Sequence, residues 1–283
     1  MIHNHRDSAG LLLRSPDSIS HDTPGTRCYG GFPGVKSKRM RNIIFELCAE
    51  TIDACLAAKE GGAHRIELCS GLSEGGLTPS HGLAQAAIKC SGLAVHVLLR
   101  PRGGSFQYTQ SEVAVIREDI QHVKQLGATG VVLGLLRPDG SVDVDGICEL
   151  VQLAHPMKVT FHRAFDLTPS LPQALEDVIT SGCDRVLTSG GQHNVVAGAA
   201  CVAGLFVQAN HRIEVAVGGG LQLKDAALLA RLTGAAHFHG SLRRKLNDVR
   251  PLNEAVDESR SFGARYAVDT DDIRSIIHQL QSA

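Results

Sequence analysis

Two stretches of the chain repeat one pattern, Phe45-Glu46-Leu47-Cys48 and Ile66-Glu67-Leu68-Cys69. In an extended strand alternate side chains share a face, so Glu46 points with Cys48, and Glu67 with Cys69. Adjacent strands lie about 4.8 Å apart, close enough for two thiols and two carboxylates to converge. Paired soft thiolates select Cu(I) over harder cations, whereas two thiols alone make a poor zinc site. Cys48 and Cys69 are therefore candidate metal ligands. The competing reading makes them small core residues, since free cysteine is among the most buried residue types. Glu46 and Glu67 are harder to place in a core, because a buried carboxylate is costly unless paired or hydrogen-bonded. Both are candidate acid–base residues.

Partners for such carboxylates occur further along. Arg100-Pro101-Arg102-Gly103-Gly104 places two guanidiniums in a glycine turn, where Arg100 and Arg102 can hold a carboxylate or phosphate bidentately. Thr160-Phe161-His162-Arg163-Ala164-Phe165-Asp166 adds His162 and Asp166 as candidate catalytic groups. Gly218-Gly219-Gly220 precedes a predicted helix, and His237-Phe238-His239-Gly240-Ser241 ends a predicted strand. Gly219, Gly220 and Ser241 are candidate anion-binding positions, since backbone N–H groups in such loops bind phosphate. Two bland readings compete: an internal salt-bridge lattice for the ionisable residues, and a simple tight turn for the triple glycine.

The elements that must position these residues alternate between short apolar runs and longer amphipathic ones. Strands are expected at Ile43–Cys48, Arg65–Cys69, Val95–Arg100, Val131–Gly134, Val159–Arg163, Arg185–Ser189, Ile213–Val217 and His237–His239. Helices are expected at Ile52–Glu60, Ser111–Leu126, Val144–Leu153, Pro172–Thr180 and Leu223–Leu232, the pattern of parallel strands joined by helical crossovers. Gly62, Gly127, Gly182 and Gly234 each fall between a helix and the next strand, where a left-handed cap turns the chain sharply back. These four copies mark alternate βα units, which gives eight strands, and eight such units close most readily as a (β/α)8 TIM-type barrel. An open doubly wound sheet is the alternative, but no GxGxxG follows the first strand. The ionisable candidates then fall at strand C-termini, the functional end of such a barrel.

The chain has 283 residues, 28 basic and 29 acidic, with a net charge of -1, which argues against a nucleic-acid partner. No run approaches the ~20 apolar residues of a spanning helix, and Leu11-Leu12-Leu13 is too short for a signal-peptide core, so a cytoplasmic protein without membrane contact is expected. Its eight cysteines are then reduced thiols, with Cys55, Cys148 and Cys201 read as core residues of helices. Residues 1–41 show neither strand nor helix periodicity and are expected to be a disordered tail, ahead of one barrel domain over 42–283 with a C-terminal helical segment.

Five motifs resemble the CutC copper-homeostasis family in the right order: Glu67-Leu68-Cys69-Ser70-Gly71 with Glu74–Ser80, Arg100–Gly104, Thr160–Asp166, and Val186-Leu187-Thr188-Ser189-Gly190. The resemblance covers roughly residues 43–245, and Leu246–Glu254 departs from the family pattern. It implies a cytoplasmic barrel that handles copper, with Cu(I) on Cys48 and Cys69, and a possible homodimer. The first functional expectation is therefore Cu(I) binding or trafficking. The alternative is a TIM-barrel enzyme acting on a small anionic or phosphorylated metabolite.

Overall fold

The computed structural model describes residues 41–246 and 264–283. The tail expected for residues 1–41 lies, but for its last residue, outside the described residues, as does the divergent segment after Leu246. Arg41 itself donates to the carbonyls of Ala230 at 2.6 Å and Ala235 at 3.3 Å.

Eight parallel strands close into a barrel in sequence order: β1 (Ile44–Ala49), β2 (Arg65–Leu68), β3 (Ala94–Leu98), β4 (Gly130–Leu133), β5 (Lys158–Phe161), β6 (Arg185–Thr188), β7 (Glu214–Val217) and β8 (His237–Gly240). All eight expected strands are present. Around them lie α1 (Ile52–Gly61), α2 (His81–Cys90), α3 (Gln110–Leu126), α4 (Val144–Ala154), α5 (Leu171–Thr180), α6 (Ala199–Ala209), α7 (Ala226–Thr233) and α8 (Thr270–Gln281). Two short strands, β9 (Arg243–Lys245) and β10 (Tyr266–Val268), form an antiparallel ribbon beside the mouth.

The outer face of each strand packs on helices. Phe45, Leu47, Ile66, Leu68, Val131 and Phe161 are buried there in one continuous core, as strand alternation requires. Gly62, Gly127, Gly182 and Gly234 all have positive φ, so the repeat read from the sequence is a repeated turn. α2 and α6 went unpredicted. α2 is set by Ser80, whose hydroxyl accepts from the Leu83 amide, and α6 is apolar almost all round and shows no stripe. Leu223–Asp225 forms a separate 3-10 turn, so the predicted Leu223–Leu232 helix starts later, at Ala226. Cys55 is core, but Cys148 is only half-buried and Cys201 is exposed on α6, which corrects the expectation for those two.

The barrel interior is polar. Glu46, Glu67, His96, Thr160, His162, Arg185 and His239 are all buried. Two glycines make room for it: a Cβ on Gly130 or Gly134 would lie 2.6 Å from the ring of His96 or His162 respectively.

Candidate metal centre and barrel mouth

β1 and β2 bring the twin motifs together. Cys48 Sγ lies 3.7 Å from Cys69 Sγ, in a small pocket of Leu98, Val132 and Leu72. Cys48 also sits 3.8 Å from Glu67 Oε1. Its thiol is pushed well above the ordinary cysteine range by the bond to Cys69, by burial and by the negative groups beside it. Burial likewise raises the Glu67 carboxyl to about 7, with Glu46 adding to the rise and His239 and Cys48 opposing it. Glu67 Oε2 is buried without a hydrogen-bond partner. Cys48, Glu67 and His239 offer ligand atoms within 4.8 Å of one another, and of these Cys48 is also beside a second sulfur, that of Cys69. Burial opposes protonation of His239, but Glu67 and Glu46 outweigh it and hold its pKa above the usual value.

Glu46 lies one layer deeper. Arg185 Nη2 donates to its Oε2 at 2.5 Å and Arg65 Nη1 at 3.4 Å, while His239 Nδ1 meets Oε1 at 2.8 Å. Arg185 Nε continues the network to Thr160 Oγ1 at 3.0 Å. Burial alone would raise the Glu46 carboxyl, yet Arg185 and His239 hold it well below the usual range. Glu46 is thus a permanent anion in a salt-bridge lattice, not the acid–base group expected. By fixing one nitrogen of His239, it acts as carboxylates do behind metal-ligating imidazoles.

Above the thiols a cavity of about 530 Å³ opens at the strand C-termini, and Glu67, Arg100, His162, Gly219, Gly220 and Ser241 are among its walls. His162 caps a turn by accepting from the Ala164 amide through Nδ1 at 3.2 Å. The neutral ring therefore carries its proton on Nε2, which has no partner. Burial depresses its pKa to about 3, and Arg100 adds to this, so the ring is a neutral donor and a poor base.

Three expected roles change. Arg100 reaches the cavity, but its terminal nitrogens donate to the carbonyls of Glu74, Gly76 and Gly104 at 2.6, 2.9 and 3.0 Å. That ties two loops together rather than leaving a fork open for an anion. Arg102 stays outside the cavity, folded onto Glu112 at 2.5 Å, where Glu112 also completes the capping box of α3 with Thr109. Asp166 accepts from Arg163, Thr188, Ser189 and Gly191. A carboxylate so fully engaged braces the loops after β5 and β6 and has no lone pair left for a substrate proton.

Three residues of the site were not picked out in the sequence. Alternation along His237-Phe238-His239 signals His239, whose ring shares the barrel side with Glu46. Arg163 and Arg243 gave no such signal, because strand position alone does not say that their long side chains fold back over the mouth.

Comparison with known proteins adds the following. The family model for CutC matches residues 43–244. A CutC family protein of Bacteroides fragilis is 43% identical over 219 residues, covering 77% of this chain and 87% of that protein. The human copper homeostasis protein cutC homolog is 40% identical over 246 residues, covering 86% and 90%. A solved CutC structure from Streptococcus agalactiae superposes with a TM-score of 0.67 at 30% identity, covering 70% of this chain and 98% of that one. The aldolase QR15, at 14% identity and a TM-score of 0.54, covering 72% of this chain and 92% of that one, shares the fold alone.

Proposed function

The chain belongs to the CutC family, and from that premise we propose that it binds Cu(I) as cargo on Cys48 and Cys69, with His239 and Glu67 completing the donor set. The observation that carries this is the 3.7 Å separation of the two sulfurs. With metal–sulfur bonds of about 2.3 Å, both reach one ion without backbone movement. The pocket is also chemically apt: two sulfurs against Leu98 and Val132 favour a soft, weakly hydrated cation.

Binding must displace thiol protons, because Cys48 is held protonated by its neighbours. Copper uptake therefore releases protons and tightens as pH rises. The seven described cysteines are free thiols, and a cytoplasmic setting, where thiols stay reduced, belongs to the same proposal. Among the described residues no helix is long and apolar enough to cross a membrane. A homodimer belongs to the same proposal, and sedimentation of the purified chain tests it.

The decisive experiment is a competition titration of the reduced, anaerobic protein against a chromophoric Cu(I) chelator. Wild type takes up roughly one equivalent, and Cys48→Ser or Cys69→Ser weakens binding at least about tenfold, or ~1.4 kcal/mol. Equal affinity in wild type and the double variant refutes the proposal, and so does Zn(II) displacing Cu(I) at equal concentration.

A further inference from the structure

The mouth of the barrel carries donors that neither the thiol pair nor the ionic lattice uses. His162 is 6% exposed and lines the cavity, and its buried Nε2–H has no hydrogen-bond partner. Arg163 donates through Nε to Asp166 and through Nη2 to Ser189, which leaves Nη1 without a protein partner among the described residues. Its guanidinium lies against Gly219, where a Cβ would stand 2.9 Å from Cζ. Glycine is required there so that the cation can rest on the loop. Arg243, on β9, stacks on Tyr266 at 4.3 Å and has Glu50 only at 3.8 Å. Both arginines line the cavity beside Gly220 and Ser241.

We propose that this cavity binds a small phosphorylated metabolite, its phosphate held by Arg163, Arg243 and the loops at Gly219–Gly220 and Ser241, and its body extending toward His162. The size supports an organic ligand, since about 530 Å³ lies within the range of metabolite pockets, roughly 300–1,000 Å³, and far exceeds a bare phosphate. Leu98, Leu187 and Leu221 form the walls between the two polar ends. The phosphate-holding groups are distinct from the copper donors, none being a thiol or part of the Glu46 lattice, although Cys48, Glu67 and His239 line the same cavity.

The test is calorimetric titration of glycerol 3-phosphate, with inorganic phosphate and glycerol alongside, into the reduced, metal-free full chain. The ester is expected to bind more tightly than about 1 mM, and inorganic phosphate at least about tenfold more weakly. Arg243→Gln and Arg163→Gln each weaken the ester about tenfold, the loss of one charge-assisted contact, while Arg102→Gln changes nothing. Arg163 also braces Asp166, so Arg243→Gln keeps the test valid if the other variant fails to fold. Absence of heat with the ester at about 10 mM, or wild-type binding by Arg243→Gln, overturns the proposal. So does inorganic phosphate binding as tightly as the ester. The Cys48→Ser/Cys69→Ser double variant is expected to bind the ester normally, so failure of the copper reading leaves this result standing. Loss of ester binding in that variant overturns the placement of the phosphate.

Discussion

Arg185→Met should be among the most damaging single substitutions in the barrel, although it lies far from any surface. Glu46 and Arg185 are 1% and 2% exposed and bonded at 2.5 Å. Removing one partner of such a pair strands a buried charge, at about 3–5 kcal/mol. Arg65 at 3.4 Å and His239 at 2.8 Å remain, which argues for the lower half of that range. A domain of this size loses about 2–4 °C of melting temperature per kcal/mol, so a fall of roughly 6–16 °C is expected at pH 7 by calorimetry. The double variant Glu46→Gln/Arg185→Met removes both charges and should recover most of the loss. Acid titration checks the same physics. Native Glu46 titrates below its ordinary value of 4.5, so its stabilisation is present above that pH and is lost as pH falls further. In Arg185→Met the folded carboxyl is less depressed, so the acid loss should be smaller and complete at higher pH than in wild type. A melting temperature within about 2 °C of wild type, or a double variant no better than the single, would refute the lattice.

Glu67→Gln should behave in the opposite way. Its carboxyl is raised to about 7, so the ionised form costs stability as pH climbs from 4.5 through 7, and the neutral glutamine should stabilise by about 1–3 kcal/mol at pH 8 while changing little near pH 4; denaturant melts at both values check this. Starting the chain at Met40 should leave the melting temperature of the barrel, Met40–Ala283, nearly unchanged, and a drop of several degrees would show that residues 1–39 contribute to its stability.

Much of the architecture was legible because it rests on local chemistry. Strand periodicity and the glycine turns at Gly62, Gly127, Gly182 and Gly234 were enough to count eight βα units. The thiol pair was legible for the same reason, since one Glu-Leu-Cys motif on two sequential strands brings its copies side by side. The anion site was not. Arg100-Pro101-Arg102 reads as a pair of forks, but a guanidinium is satisfied as readily by backbone carbonyls as by a ligand, and Arg100 finds three of them. Arg243 was invisible for another reason: it reaches the mouth only because β9 pairs with β10, more than twenty residues later, a pairing no short-range pattern announces.

The twin motif shows where repetition in sequence stops being repetition in space. Strands of a closed barrel are staggered, so β1 and β2 pair Glu46 with Arg65 and Cys48 with Glu67. Glu67 therefore stands level with the thiol of the neighbouring strand, one layer above Glu46. Glu46, paired with His239 on β8, falls in the layer where Arg185 crosses the interior and becomes a fixed anion. Among the described residues Glu67 meets no guanidinium; its neighbours are a sulfur and an imidazole, and its carboxyl is raised to about 7. The same Glu-Leu-Cys motif thus yields one carboxylate locked in a lattice and one whose pKa is raised to about 7. The stagger separates them by making the second motif's glutamate a neighbour of the first motif's cysteine. A metal centre assembled this way needs both strands in register, so a variant that shifts β1 against β2 should lose the thiol pair and the Glu46 lattice together.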